Sequence, residues 1–259
     1  MSRQPAAFLG HGNPMNALEQ NRYTDAWRSL VEGAPATPRA ILMISAHWYV
    51  NITAVTAMEQ PRTIHDFYGF PQQLFDVSYP APGDPGLAQE IAALADPTYV
   101  GLDHDSWGLD HGAWSLLVHM FPNADVPVVQ LSINGEKPFE YHVALGAALA
   151  PLRDEGVMII GSGNVVHNLG MIEWDKPGQG APWAHDFDES VRSIMTSDPA
   201  SLGNVTSHSA FRSAVPTPDH FLPLAYLAGI AGAANTTAST LIEGYEMGSL
   251  SMTSYVVNE

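Results

Sequence analysis

Apolar residues fall in two rhythms along the chain. Short unbroken apolar runs occupy Ala6–Gly10, Ala40–Ser45, Val126–Ile133 and Val157–Gly161, with further candidates at Ile52–Ala57 and Met252–Val257. Runs this short, bounded by Gly and Pro, predict buried strands. Between them, amphipathic or Ala- and Leu-rich stretches at Arg22–Glu32, Pro85–Ala95, Gly112–Met120, Pro138–Glu155, Trp183–Thr196 and His220–Ala231 predict helices. Strands alternating with helices predict an α/β fold, with a central mixed or largely parallel sheet flanked by helices. No internal repeat or low-complexity linker interrupts the pattern, so residues 1–259 read as a single domain. Two long Pro/Gly-rich stretches, Pro61–Pro85 and Asn168–Trp183, read as functional loops. The first carries the aromatic cluster His65-Asp66-Phe67-Tyr68-Gly69-Phe70-Pro71.

Charge and composition narrow the partners. The formal net charge is −17, with 27 acidic residues and only two lysines, Lys137 and Lys176. Nucleic acid and anionic membrane surfaces both require clustered positive charge, so neither is expected as a partner. The chain has no cysteine, so any metal site must use His, Asp or Glu. That absence fits a reducing cytoplasm, the expected location. The N-terminus is too short in apolar length for a signal peptide. The longest apolar stretch, Pro223 to Ala234, is broken by Gly229 and Gly232. It falls short of the roughly 18 residues a membrane span needs. A monomer or small homo-oligomer is expected.

The histidines carry the chemistry. There are eleven, and their placement says more than their number. His11 follows the strand Ala6–Gly10, His47 follows Ala40–Ser45, and His167 lies just past Val157–Gly161. Strand C-termini of an open α/β sheet share one edge, where ligands bind. Three histidines leaving three such ends can converge on one metal. His111 sits in a turn entering a helix, and His220 sits at a helix start. Neutral imidazole is the commonest metal ligand. His104, His119, His142, His185 and His208 read as structural, whereas His65 stands out for its place in the aromatic loop.

At these residues the sequence resembles the 4,5-DOPA extradiol dioxygenases, within the class III, LigB-type extradiol ring-cleaving dioxygenases. The matching segments are Phe8–Met15, Ile44–Trp48, Thr63–Pro71, Leu109–Trp114, Gly161–Leu169, Asp219–Leu224 and Gly244–Met252. They cover nearly the whole chain in order.

The resemblance implies a mononuclear non-haem metal on His11, His47 and His220. It gives His111 and His167 acid/base roles, with His167 an alternative fourth ligand. The substrates implied are a catechol, DOPA-like or related, and O2, with a muconic semialdehyde as product. Many class III enzymes place a carboxylate where this chain has His220. An all-histidine site admits zinc in a purified sample, although the oxygen chemistry requires Fe(II). Asp110 and Asp219 are candidates to orient neighbouring imidazoles. Trp48, Tyr68 and His65, with Phe67, Phe70 and Trp174, are candidates for the substrate pocket wall. The competing readings are a zinc hydrolase, with His167 as proton shuttle, and a non-catalytic metal-binding protein of the same fold.

Overall fold

The computed structural model describes residues 2–258, and all structural statements below concern those residues. In chain order the elements are β1 (Ala6–Gly10), α1 (Arg22–Glu32), β2 (Ala40–Val50), β3 (Ala54–Thr56), α2 (Gln72–Phe75) and α3 (Pro85–Leu94). Next come β4 (Gly101–Asp103), α4 (His111–Met120), β5 (Val128–Asn134), α5 (Phe139–Leu149), β6 (Val157–Gly163) and α6 (Pro182–Ser197). The chain ends with α7 (Phe211–Ala214), α8 (Leu222–Ala233), β7 (Ser239–Ile242), β8 (Tyr245–Glu246), β9 (Leu250–Ser251) and β10 (Ser254–Val257).

Eight strands form one sheet in the order β4-β3-β5-β2-β6-β1-β10-β7, and β8 and β9 form a separate ribbon. The four central strands β5, β2, β6 and β1 run parallel. β10 and β7 continue the sheet antiparallel on one side, and β3 meets β5 antiparallel on the other. The expected mixed, largely parallel α/β domain is therefore the one observed.

The two-residue period of each strand sorts its side chains onto two cores. Phe8, Leu42, Ile44, Val129, Leu131 and Ile159 face a layer that includes α3, α5, α6 and α8. Leu9, Ile41, Met43, Val128, Met158 and Ile160 face α1 and α4, where Trp27, Trp114 and Leu117 are fully buried.

Local chemistry sets the element ends. Asn21 caps α1 in a reciprocal capping box with Thr24. The stretch Pro138–Glu155 is not one helix. α5 stops at Leu149, and Pro151 sits at the start of a 3-10 turn over Ala150–Arg153. The expected tail strand Met252–Val257 is shorter, with β10 starting at Ser254, and Met252 and Thr253 separate it from the end of the ribbon strand β9. The most consequential difference is in β2, which continues to Val50. Between Ile44 and Tyr49 it advances five positions, while its partner β5 advances two, from Leu131 to Ile133. Its pairing with β6 ends at Ser45. His47 therefore lies inside a bulge, where the backbone is free to re-aim a side chain.

Candidate metal centre

The shared C-terminal edge of β1, β2 and β6 is where the histidines gather. His11, His47 and His220 form a near-equilateral triangle, with ring centroids 5.0, 5.1 and 5.3 Å apart. One ring nitrogen from each lies within 4.8 Å of the others. His111 lies against His47, with ring centroids 3.8 Å apart. His167 lies against His220 at 3.5 Å, with the rings within 2° of parallel. The cluster is thus a triangle of three imidazoles with a fourth and a fifth on opposite flanks.

Each triangle residue is held from behind. His11 Nδ1 lies 2.9 Å from Ser162 Oγ, and that hydroxyl donates to the Gly112 carbonyl at 2.6 Å. Having spent its proton there, Ser162 accepts from His11, so the ring proton sits on Nδ1. His47 Nδ1 lies 3.1 Å from Asp66 Oδ2, and His220 Nδ1 bonds the Asp219 carboxylate. Carboxylates only accept, so these rings also carry the proton on Nδ1. Every Nε2 is left as a bare lone pair. His11 Nε2 and His47 Nε2 stand 3.2 Å apart, a repulsive contact unless a cation lies between them. Metal–N bonds of about 2.0–2.1 Å place two ligand nitrogens roughly 3.0–3.4 Å apart. The donor set, and the spacing of its His11–His47 pair, therefore fit a divalent ion.

Asp66 is the residue that sequence reasoning quoted without giving it a role. Its Oδ1 accepts from both the backbone N–H and Nδ1 of His111, each at 2.9 Å, while Oδ2 takes His47. One carboxylate thus orients two imidazoles. Burial pushes its pKa up, but the bonds from His111 and His47 outweigh burial and hold it well below the usual carboxylate range. Asp219 is likewise depressed, with the His220 bond overcoming burial. Asp110, expected to orient an imidazole, does not bond one. It caps α4 by accepting from the Ala113 N–H, and it also holds Ser45, Trp107 and Gln130. Through Ser45 it supports the bulge that carries His47.

Four of the five imidazoles are electrostatically poised to stay neutral. Burial lowers the pKa of His11 well below its usual value, and the surrounding imidazoles lower it further. Burial and then His220 push His167 down to about 2. His111 and His220 are also lowered, chiefly by burial, despite their carboxylate partners. His47 is the exception. Burial pulls it down, but the Asp66 bond and the Asp110, Asp66 and Asp219 charges bring it above its usual value.

The expected pocket residues divide. Trp48 is 4% exposed and stacks on Trp107, with ring centroids 5.7 Å apart. Phe67 sets its ring edge-on to His111 at 5.4 Å, a direct contact with the cluster. His65 instead bonds the Val77 carbonyl at 2.9 Å and packs on Phe67, Phe75 and Trp114. Tyr68 is 92% exposed and Trp174 is 76% exposed, so both project into solvent.

Comparison with known proteins bears on this geometry directly. Residues 5–257 match the family model of the catalytic LigB subunit of aromatic ring-opening dioxygenase. The chain belongs to the LigB family. It is 49% identical to a 4,5-DOPA dioxygenase extradiol of Escherichia coli, covering 98% of this chain and 94% of that protein. It is 38% identical to one of Beta vulgaris, covering 96% and 94%. The crystal structure of an uncharacterized Escherichia coli K12 protein superimposes with a TM-score of 0.86 at 44% identity, over 99% of this chain and all of that one. As a LigB protein the chain is an extradiol ring-cleaving dioxygenase, an oxidoreductase that incorporates O2 at a non-haem metal. No described helix is long and apolar enough to cross a membrane.

Proposed function

We propose that this enzyme opens the ring of a DOPA-like catechol at an Fe(II) ion held by His11, His47 and His220. The observation that carries the ligand assignment is the triangle of imidazole rings, each with a partner on Nδ1 that leaves its Nε2 lone pair bare. A DOPA-like substrate is favoured because several relatives carry that substrate in their names. Iron is favoured over zinc because the family's chemistry uses O2, which zinc cannot reduce. The zinc-hydrolase reading gains nothing from this site. The carboxylates beside the cluster, Asp66 and Asp219, already accept from imidazole N–H groups. The cysteine-free composition favours a cytoplasmic location.

When bound, a ferrous ion would supply the Lewis acidity that acidifies a phenol and a redox-active path by which the catechol's electrons reach O2. The protein residues manage protons and position. His111 is neutral, with Nδ1–H pinned to Asp66, so its Nε2 is the accepting atom. The carboxylate behind it stabilises the imidazolium formed when it takes a catechol proton. His167 flanks the opposite side, where it can move a proton as the ring opens. Its ring stacks on that of His220, with centroids 3.5 Å apart and planes within 2° of parallel. The lone pairs of two stacked imidazoles lie in separate, parallel planes, so the two rings do not aim at one point. This favours a proton-transfer role for His167 over a fourth-ligand role. Phe67 closes the site beside His111 and limits water. The net reaction breaks one ring C–C bond adjacent to the diol and places both oxygen atoms in a muconic semialdehyde. With DOPA, that aldehyde can close on the substrate's own amine.

The test is anaerobic reconstitution of metal-free protein with Fe(II), followed by DOPA, caffeate or catechol and then oxygen. Oxygen uptake with a yellow semialdehyde is expected. No uptake with any catechol would sink the substrate assignment. His167→Ala and His111→Ala should keep metal and lose turnover; loss of metal from His167→Ala would make that residue a ligand.

A further inference from the structure

Helix α6 buries a carboxylate that the reaction does not touch. Asp188 is 2% exposed, and three hydroxyls converge on it. Ser251 donates to Oδ1 at 2.7 Å, while Thr253 and Tyr245 donate to Oδ2 at 2.7 and 2.9 Å. The donors come from both strands of the β8–β9 ribbon and from the residue just before β10. One carboxylate therefore ties down the whole hairpin. Burying a charge is costly unless it is satisfied. Three hydroxyl donors at one carboxylate indicate that the hairpin's position is tightly specified.

What the hairpin holds is His167. Its residues Ser249, Leu250 and Ser251 run antiparallel beside Asn168, His167 and Val166. The Asn168 N–H donates to the Ser249 carbonyl at 3.1 Å, and the Ser251 N–H donates to the Val166 carbonyl at 2.9 Å. His167 itself bridges Leu250. Ser249 Oγ donates to the Asn168 carbonyl at 2.8 Å, and Asn164 Nδ2 donates to the Ser251 carbonyl at 2.7 Å. On its other side the His167 N–H donates to Ala214. The segment just past β6 is thus clamped between the hairpin and α7.

We infer that Asp188 is a positioning residue for ring cleavage: it anchors the β8–β9 hairpin, and the hairpin sets where the His167 imidazole stands. The inference rests on His167 acting in proton transfer. Misplacing a reacting group by about 1 Å can cost on the order of a hundredfold in rate.

In Asp188→Asn the amide nitrogen cannot accept, so at least one hydroxyl loses its acceptor and the hairpin loosens. The Fe(II)-loaded variant should lose tenfold or more in kcat, with KM for the catechol within about threefold and metal content unchanged. Adding Asp188→Asn to His167→Ala should lower the residual turnover no further, because both changes act through one side chain. In metal-free protein, the Ser251 and Asn168 amides should exchange hydrogen at least tenfold faster, while β1 and β6 amides stay unchanged. If Asp188→Asn does not fold, Tyr245→Phe removes one donor from a half-buried position and should shift the same readouts less. Full kcat in a folded variant, unchanged exchange at Ser251 and Asn168, or an equal loss with and without His167 would each overturn the inference. Full turnover in His167→Ala alone would instead remove the proton-transfer reading.

Discussion

Replacing Asp66 by Asn changes one atom and isolates how the protein keeps its metal nitrogens bare. The amide oxygen belongs on the His111 side, where it retains two bonds, from the backbone N–H and from Nδ1. The amide NH2 then faces His47 Nδ1, 3.1 Å away in the native protein. Two donors cannot face each other, so His47 must move its proton to Nε2. That nitrogen lies 3.2 Å from His11 Nε2, and the displaced proton completes a hydrogen bond between the two rings. The variant therefore satisfies the two rings in the metal-free protein and spoils them for metal at once. A hydrogen bond to a charged group is worth about 1.5–3 kcal/mol net. Loss of a partner behind a metal-binding histidine typically costs 10- to 100-fold in affinity. The two figures agree, so a 10- to 100-fold rise in Kd is expected. Competition between the protein and a chromophoric chelator for Zn(II) measures it without oxygen sensitivity. Nitrogen chemical shifts of the imidazoles report the tautomer of His47 independently. Stability of the metal-free protein should fall by about 1–3 kcal/mol, since every buried donor still finds an acceptor but neutral bonds replace charge-assisted ones. A Kd within twofold of wild type, or His47 still protonated on Nδ1, would refute the reasoning.

Three further outcomes follow from packing and burial. A Cβ on Gly112 would stand 2.5 Å from Ser45 Oγ and 2.7 Å from His47 Cδ2. Gly112→Ala should therefore cost about 1–3 kcal/mol in urea unfolding and reduce metal occupancy at His47. By contrast, a Cβ on Gly232 meets nothing within 4 Å and lies in α8. Gly232→Ala should raise stability by about 0.5–1 kcal/mol in the same assay. His142 is fully buried, and burial pushes its pKa down to about 4, whereas an unfolded histidine titrates near 6.5. Between those values the unfolded chain binds a proton that the folded one refuses. Stability is therefore complete above about pH 6.5 and falls as pH drops toward 4, by roughly 3 kcal/mol from this residue. Unfolding free energies at pH 7.5 and 5 should differ less in His142→Gln, and an unchanged difference would remove His142 as the cause.

The legible parts of this protein are those whose signal is local. β1 and α1 begin and end where the apolar run and the amphipathic pattern place them. The edge strands β4 and β7 escaped because they are short and half-exposed, with no apolar run to mark them. The histidines could be selected by where they leave the strands, but the groups behind them could not. Ser162 is an ordinary strand residue, Asp66 lies in a loop 45 positions before His111, and Asp219 is recognisable only because it adjoins His220. Asp110, next to His111 in sequence, serves the β2 bulge instead. Sequence adjacency predicted the partner correctly for His220 and wrongly for His111. The backbone of a helix N-terminus aims residue N1 away from its own cap, which Ala113 already uses. A carboxylate beside a histidine is thus a reliable partner only when it is not committed to capping. Asp66 had no such commitment, and a carboxylate inside an aromatic loop beside matching histidine motifs is the signal that could have found it.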